Sequence, residues 1–324
     1  MQNVDVRYVC GSDDHGVAIT ATAEKENKTP LEVARFYNQK QQEDFRNLNI
    51  HFDIYGSTCQ SPHHYDVSQK FFLAMHAKGF LQKQSSQQFY DPHRNQFLPD
   101  RYVKGTCSYC QTPDQYGDQC ENCGKMLDVD HLSNPISTLS GKTATIKETV
   151  HWFLDLSQFG NQVSEWLKTA EVRDNTKNFI SGLIKTGLVK RAMTRDLSWG
   201  IPVPLDDPDA QGKVLYVWFY APIGYISNCD ELAAREGSQS VNPWWLDPDC
   251  EIYHFIGEDN AVFHCLIWIA MLSAEGRYTL PAGVVVNHFL NIQFSDSDVE
   301  KISKSRGRAV WLHEYFAEGG NADA

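Results

Sequence analysis

The pattern of apolar and polar positions divides the chain into three stretches of different character. In the first, Val4–Cys10 is a short run rich in β-formers. It ends in Gly11-Ser12-Asp13-Asp14-His15-Gly16, a loop with two glycines and two carboxylates. A helix of small and apolar residues, Val17–Lys25, is expected to follow. Strand, glycine turn and helix make half of a βαβ unit. Thr29-Pro30-Leu31-Glu32 reads as a helix start: threonine to cap, proline at the first helical position, glutamate three residues on. That helix is predicted to run to about Leu48 with Val33, Phe36, Tyr37 and Phe45 inward. Ser61-Pro62 opens another, carrying Tyr65, Phe71, Phe72 and Met75 and stopping near Gly79.

From Phe80 the pattern changes. Short β-like pieces, Phe80–Lys83 and Gln88–Tyr90, lead into a cysteine-bearing segment. Trp152–Leu156 reads as a strand, and Gln158–Thr169 and Asn175–Leu188 read as helices. After about Thr194 longer apolar runs return. Lys213–Tyr220, Glu251–Ile256 and Gly283–Ile292 read as buried strands of a parallel sheet, with a helix from about Asn260 to Leu272. Each strand leads to a glycine-containing loop, and ligands of such sheets bind beyond the carboxyl ends of the strands. The expected fold is α/β: a parallel-sheet domain in two parts, 1–78 and 195–324, split by an inserted module, 79–194.

Composition narrows the function classes. The 324 residues are 42% hydrophobic and 22% charged, ordinary for a globular protein. A net charge of −12 means the surface as a whole is no nucleic-acid footprint, so any RNA contact must be a local basic patch. The most apolar run, Val262–Leu272, includes His264 and Cys265 and falls well short of the roughly 20 residues that span a bilayer. Gln2, Asn3 and Asp5 break any secretory start. Cys10, Cys59, Cys229, Cys250 and Cys265 are scattered and read as reduced thiols, so a cytoplasmic location is expected.

The remaining four cysteines form the most specific signal. Cys107-Ser108-Tyr109-Cys110 and Cys120-Glu121-Asn122-Cys123 are two CxxC pairs nine residues apart. Each turn aims two thiolates at one ion, and two turns close a tetrahedron. Two disulfides, or a redox CxxC beside chance cysteines, are the competing readings, but the spacing suits zinc. Four thiolates leave no open position, so one structural Zn2+ is expected.

Three further features carry chemistry. Lys301 to Arg308 places four cations in eight residues, with two serines and a glycine. Such a loop binds polyanions, and lysine meets phosphate as a point charge. No GxxxxGK occurs, so this is no P-loop. Asp13 and Asp14 suit an amine or magnesium; the alternative is a plain turn at a strand end. Trp218, Tyr225, His264 and Trp268 suggest a pocket of rings and one imidazole, which suits a thioether, although core aromatics would read alike.

Together these stretches resemble the methionyl-tRNA synthetases, a family of class I aminoacyl-tRNA synthetases, over essentially the whole chain. The resemblance rests on Cys10–Gly16, the cysteine knuckle, Thr194–Pro204, Tyr216–Tyr225, His254–His264 and Lys301-Ile302-Ser303-Lys304-Ser305, similar to the KMSKS signature. It implies a Rossmann-type catalytic domain split by a zinc-containing connective-peptide domain. It also implies activation of L-methionine with ATP and Mg2+, then transfer of the aminoacyl group to tRNA(Met). By that resemblance Asp13 holds the ammonium, and Trp218, Ala221, Pro222, Tyr225, His264 and Trp268 line the side-chain pocket. Gly257, Asp259 and Lys304 hold ATP, and Lys304 with Lys301 stabilises the triphosphate during reaction.

The departures carry their own expectations. The family's HIGH motif precedes the Asp-Asp-His-Gly loop, and no His-x-Gly-His occurs here. The sequence therefore reads as a fragment without that segment and without the anticodon-reading domain, crippled in adenylate formation. ATP–pyrophosphate exchange at a normal synthetase rate would sink that expectation. Tyr220 stands where the family usually has Asp, Glu258 where Lys is common, and Ile302 replaces the signature methionine. Residues 293–300 lengthen the turn before the signature. Two other readings stay open: a class I synthetase for leucine, isoleucine, valine or cysteine, and an inactive zinc-stabilised binding module.

Overall fold

The computed structural model describes residues 4–117, 120–123, 125, 127–238, 242–293, 299–301 and 310–322. Two groups of parallel strands frame the site. Val9–Ser12 pairs with Ile54–Ser57. Tyr253–Gly257 pairs with Gly283–Asn287, which pairs in turn with Glu171–Val172. The mixed α/β class is as the patterning predicts. The first strand starts later than the apolar run, because the Asp53 carboxylate, not a neighbouring strand, takes the Tyr8 N–H at 2.6 Å.

Among the described residues the two groups share no ladder; helix Ile223–Arg235 spans them. Its Asn228 donates to the Cys10 carbonyl at 3.1 Å, and one turn earlier the Tyr225 ring lies 4.6 Å from His254. A Cβ on Gly56 would stand 2.0 Å from Asn228 Oδ1, so only glycine lets this helix lie so close. Helix Pro62–Ala77 completes the core, with Phe71, Phe72 and Met75 fully buried against Phe219 and Trp268.

Helix Pro30–Asn47 begins with the predicted capping box. Glu32 N–H donates to Thr29 Oγ1 at 3.3 Å, and Thr29 N–H donates to Glu32 Oε2 at 2.7 Å. The run Lys213–Tyr220 differs from expectation. Only Val214–Leu215 is a strand, antiparallel to Thr194–Arg195, and the chain then turns helical at Val217–Tyr220. A continuous apolar run has no period to separate a buried strand from a buried helix. The predicted Gly283–Ile292 strand also divides: it ends at Asn287, and Asn291–Gln293 pairs antiparallel with Val299–Lys301.

Between the parallel groups lies antiparallel structure. Leu81–Asp91 and Thr145–Asp155 form a long ribbon. Val103–Cys107 pairs with Gln115–Tyr116 and Leu132–Ser137 around the cysteine pairs. The stretch expected as one inserted module, 79–194, is not uniform. Val163, Trp166 and Ile180 share a core with Cys265, Ile269 and Val284, and Glu171–Val172 joins the parallel sheet. Apolar faces of Gly160–Thr169 and Asp174–Thr186 are covered by that sheet and not by the knuckle. A buried network pins the ribbon to the returning chain. Lys213 bonds Asp196 and Thr149, and His151 reaches Asp196 at 3.2 Å and Thr194 at 2.9 Å. Burial pushes the Asp196 carboxyl up, but bonds from His151 and Lys213 outweigh it and hold the group at about 2. Among the described residues no helix is long and apolar enough to cross a membrane.

Candidate active site and metal centre

A cavity of about 390 Å³ opens between the two parallel groups. Asp13, Trp218, Ala221, Pro222, Tyr225, Gly257 and His264 all line it, so residues up to 251 positions apart converge as predicted. The loop after Val9–Ser12 carries two carboxylates of different fate. Asp14 is buried and spent on the neighbouring turn: Ser57 Oγ donates to it at 2.5 Å and Cys59 N–H at 3.3 Å, while Asp14 N–H donates to Thr58 Oγ1 at 2.8 Å. Asp13 faces the cavity and has no ion pair among the described residues. Its side chain is exposed, and it lines both this cavity and a second one that holds His15, Trp218 and Tyr220. Desolvation by the protein packed around it, with the Asp14 carboxylate beside it, pushes the Asp13 carboxyl up to about 8. A cationic ligand would restore its charge.

The aromatic part of the lining is neutral. Trp218 stacks on Phe263 with ring centres 4.4 Å apart. His264 Nδ1 lies 3.1 Å from the Asn260 carbonyl, which can only accept, so Nδ1 carries the proton. Burial lowers the His264 pKa against the pull of that bond, leaving Nε2 bare to accept from the Tyr225 hydroxyl at 2.9 Å. With His264 committed at both nitrogens, this wall suits an apolar side chain.

Trp268 does not line the cavity. It is fully buried, and its indole N–H donates to His254 Nε2 at 3.2 Å, one layer behind the wall. The widened turn Phe263–Ile267 shifts its register from that of a regular helix, so His264 and Trp268 do not present to one pocket. Asp259 lies beside Gly257 but off the lining: a Cβ on Gly257 would be 2.7 Å from its Oδ1. Lys301 ends the strand Val299–Lys301, and Lys304 lies outside the described residues. Phe263, His64 and Asn228 also line the cavity and were not singled out by their residue types; only Phe263 carried a signal, its place beside His264.

Tyr220, the unusual residue before Ala-Pro, is buried edge-on to His15 at 5.4 Å and near His64 at 5.6 Å. Burial holds those imidazoles down at about 4 and about 3, so both are neutral at ordinary pH. Glu258 faces the carboxyl end of the sheet. It bonds His288 Nδ1 at 2.8 Å and accepts from Phe289 N–H at 3.3 Å.

The cysteine pairs converge as the spacing predicts. Sγ of Cys107 is 3.9 Å from that of Cys123, Cys110 is 3.6 Å from Cys120, and all four lie within 4.8 Å of one another. Metal–sulfur bonds of about 2.3 Å make a tetrahedron with edges of about 3.8 Å, so the four can hold a metal ion. At these separations the sulfurs are not bonded to one another, and all nine cysteines are free in the structure. Cys107 and Cys120 are buried in a small core with Tyr102, Val103 and Leu132.

The sequence was compared with known proteins. Methionine–tRNA ligase of Flavobacterium johnsoniae is 46% identical over 321 residues, covering 98% of this chain and 44% of that protein. The enzymes of Christiangramia forsetii and Bacteroides fragilis are 47% and 44% identical, each covering 98% of this chain and 45% of the relative. The chain thus spans a little under half the length of these curated relatives. Among solved structures, Mycobacterium tuberculosis methionyl-tRNA synthetase bound by methionyl-adenylate matches with a TM-score of 0.68 at 22% identity. That match covers 97% of this chain and 54% of the other, and it supports the fold. The sequence model described as tRNA synthetases class I (M) matches residues 1–324. The order of strands, the split sheet, the cysteine knuckle and these likenesses agree, and the chain belongs to the methionyl family of class I tRNA synthetases.

Proposed function

We propose that this chain carries the methionine-activating site of a methionine–tRNA ligase acting in the cytoplasm. One observation supports it above the others. A single cavity is lined by one carboxylate, Asp13, and by the neutral rings of Trp218, Tyr225 and His264. That pairs an acceptor for an ammonium with a surface for an unbranched thioether. Ala221 and Pro222 belong to the same lining. ATP with its Mg2+ would lie at the carboxyl end of Tyr253–Gly257, near Gly257 and Asp259, with Lys301 and Lys304 supplying positive charge to the triphosphate. The methionine carboxylate then attacks the α-phosphorus, an oxygen–phosphorus bond forms, and pyrophosphate leaves. The terminal ribose hydroxyl of tRNA(Met) next takes the aminoacyl group and AMP leaves. The knuckle would hold one structural Zn2+. The division at 1–78, 79–194 and 195–324 describes the chain order, with 160–186 packing on the catalytic half.

Calorimetric titration of the whole chain with L-methionine, and with a non-hydrolysable methionyl-adenylate analogue, tests this reading. Saturable binding of both, with leucine and lysine at least about tenfold weaker, is the expected result. Failure to bind either ligand, or equal binding of leucine, would overturn it. The same assay examines Glu258. Its carboxylate stands where nucleotide phosphates would approach, so E258Q should tighten ATP about fivefold, the effect of about 1 kcal/mol of repulsion removed at a hydrated site. Unchanged or weaker ATP binding would place the phosphates elsewhere.

A further inference from the structure

Trp268 is fully buried, and a buried indole N–H needs an acceptor. It finds one in His254 Nε2 at 3.2 Å. An indole N–H can only donate, so Nε2 is bare and the proton of the neutral ring sits on Nδ1. Burial, with His264 nearby, drives the His254 pKa well down and keeps the ring neutral. His254 belongs to strand Tyr253–Gly257, where it points inward while Phe255 on the other face is exposed.

Three rings meet on this imidazole besides Trp268. Tyr225 lies 4.6 Å away, His264 5.4 Å and Trp245 6.1 Å, centre to centre. Tyr225 and His264 are the two wall groups bonded to each other. Both rest against the His254 ring. Its own place is fixed by the ladder to Gly283–Asn287 and by the Trp268 bond. The strand, the helix Ile223–Arg235 and the widened turn therefore register against one another at a single side chain. His254 is absent from the cavity lining.

We propose that His254 is a positioning residue of the side-chain pocket: held by Trp268, it sets where Tyr225 and His264 stand and so the fit of an unbranched thioether. This rests on the methionine reading above. H254L removes the acceptor and the ring, whereas H254Q keeps an acceptor that can reach the indole. In the whole chain H254L should weaken L-methionine binding about tenfold or more, and H254Q should recover most of it. ATP affinity and metal content should be unchanged in both variants. A ligand-free readout accompanies these values: the Trp268 indole N–H proton resonance, assigned by its loss in W268F, should move upfield in H254L and return in H254Q. If H254L does not fold, W268F serves instead, since it keeps the ring and drops only the donor. W268F should weaken methionine binding and leave ATP binding unchanged. H254L or W268F binding methionine as tightly as the parent, or H254Q faring no better than H254L, would overturn the proposal. A parent chain that binds no methionine would instead overturn the reading of the site.

Discussion

Removing the metal, or replacing Cys107 by serine, will unravel the knuckle and leave the parallel sheets folded. The four thiols span 3.6 to 3.9 Å across the paired edges, so without an ion they are a cluster of anions or protons in forced contact. Structural zinc in small peptide sites is worth about 10–16 kcal/mol in apparent binding, far more than the small apolar core around Cys107 and Cys120 supplies. That core holds Phe89, Leu98, Tyr102, Val103, Leu127 and Leu132, and it is separate from the clusters under the parallel strands. Local loss is therefore expected. Hydrogen exchange should show protection vanishing across 100–140 after chelation while 253–287 keeps its own. Purified protein should contain one zinc per chain. Protein free of zinc with the 100–140 amides fully protected would refute the structural role. Global unfolding on chelation would show that the knuckle and the sheets form one cooperative unit.

Legibility in the sequence followed the range of the interaction. The Thr29–Glu32 capping box and the CxxC pairs are decided by neighbours within a few positions, and both stand in the structure as expected. Which of two adjacent aspartates faces a ligand is decided 43 to 45 positions away, where Ser57, Thr58 and Cys59 take Asp14 and leave Asp13. Phe36 and Tyr37 were expected inward but are 53% and 39% exposed, because helix Pro30–Asn47 buries only a narrow stripe. One member of that stripe is polar. Asn38 donates to Ser12 Oγ at 2.8 Å and to the Gly56 carbonyl at 3.0 Å, stitching the helix to the first strand pair. Apolar periodicity is blind to such a residue. Trp268 failed for a related reason: its side of the helix depends on a widened turn that no residue in Phe263–Ile267 announces. Motifs pick out Asp13, Trp218, Tyr225 and His264 but not His64 or Asn228, which line the same cavity, nor His254 behind it.

The largest effect on ligand binding is expected at Asp13. An ammonium beside an unpaired carboxylate in a confined site gains a charge-assisted hydrogen bond worth up to about 3 kcal/mol, so D13N should weaken methionine binding about 150-fold. The pH dependence should be as telling. Desolvation by the surrounding protein, with Asp14 beside it, pushes the carboxyl from an ordinary value near 3.8 up to about 8. Folding therefore favours the protonated form, and the cost to stability appears as pH rises above the ordinary value and is fully present above about 8. Binding has the opposite sign. The ammonium needs the ionised form, so at pH 6 to 8 each methionine bound expels a proton from Asp13. Affinity should then rise roughly tenfold per pH unit over that window and level above it, until the amine itself begins to deprotonate. Titrations in buffers of different ionisation enthalpy would count the proton released. D13N should give a flat profile with no proton release. A flat profile in the parent chain would mean that Asp13 is already ionised in the empty cavity. A sloping profile in D13N would mean that another group carries the linkage. His264 is a poor candidate for it, because burial lowers its pKa and its two nitrogens are already committed to Asn260 and Tyr225.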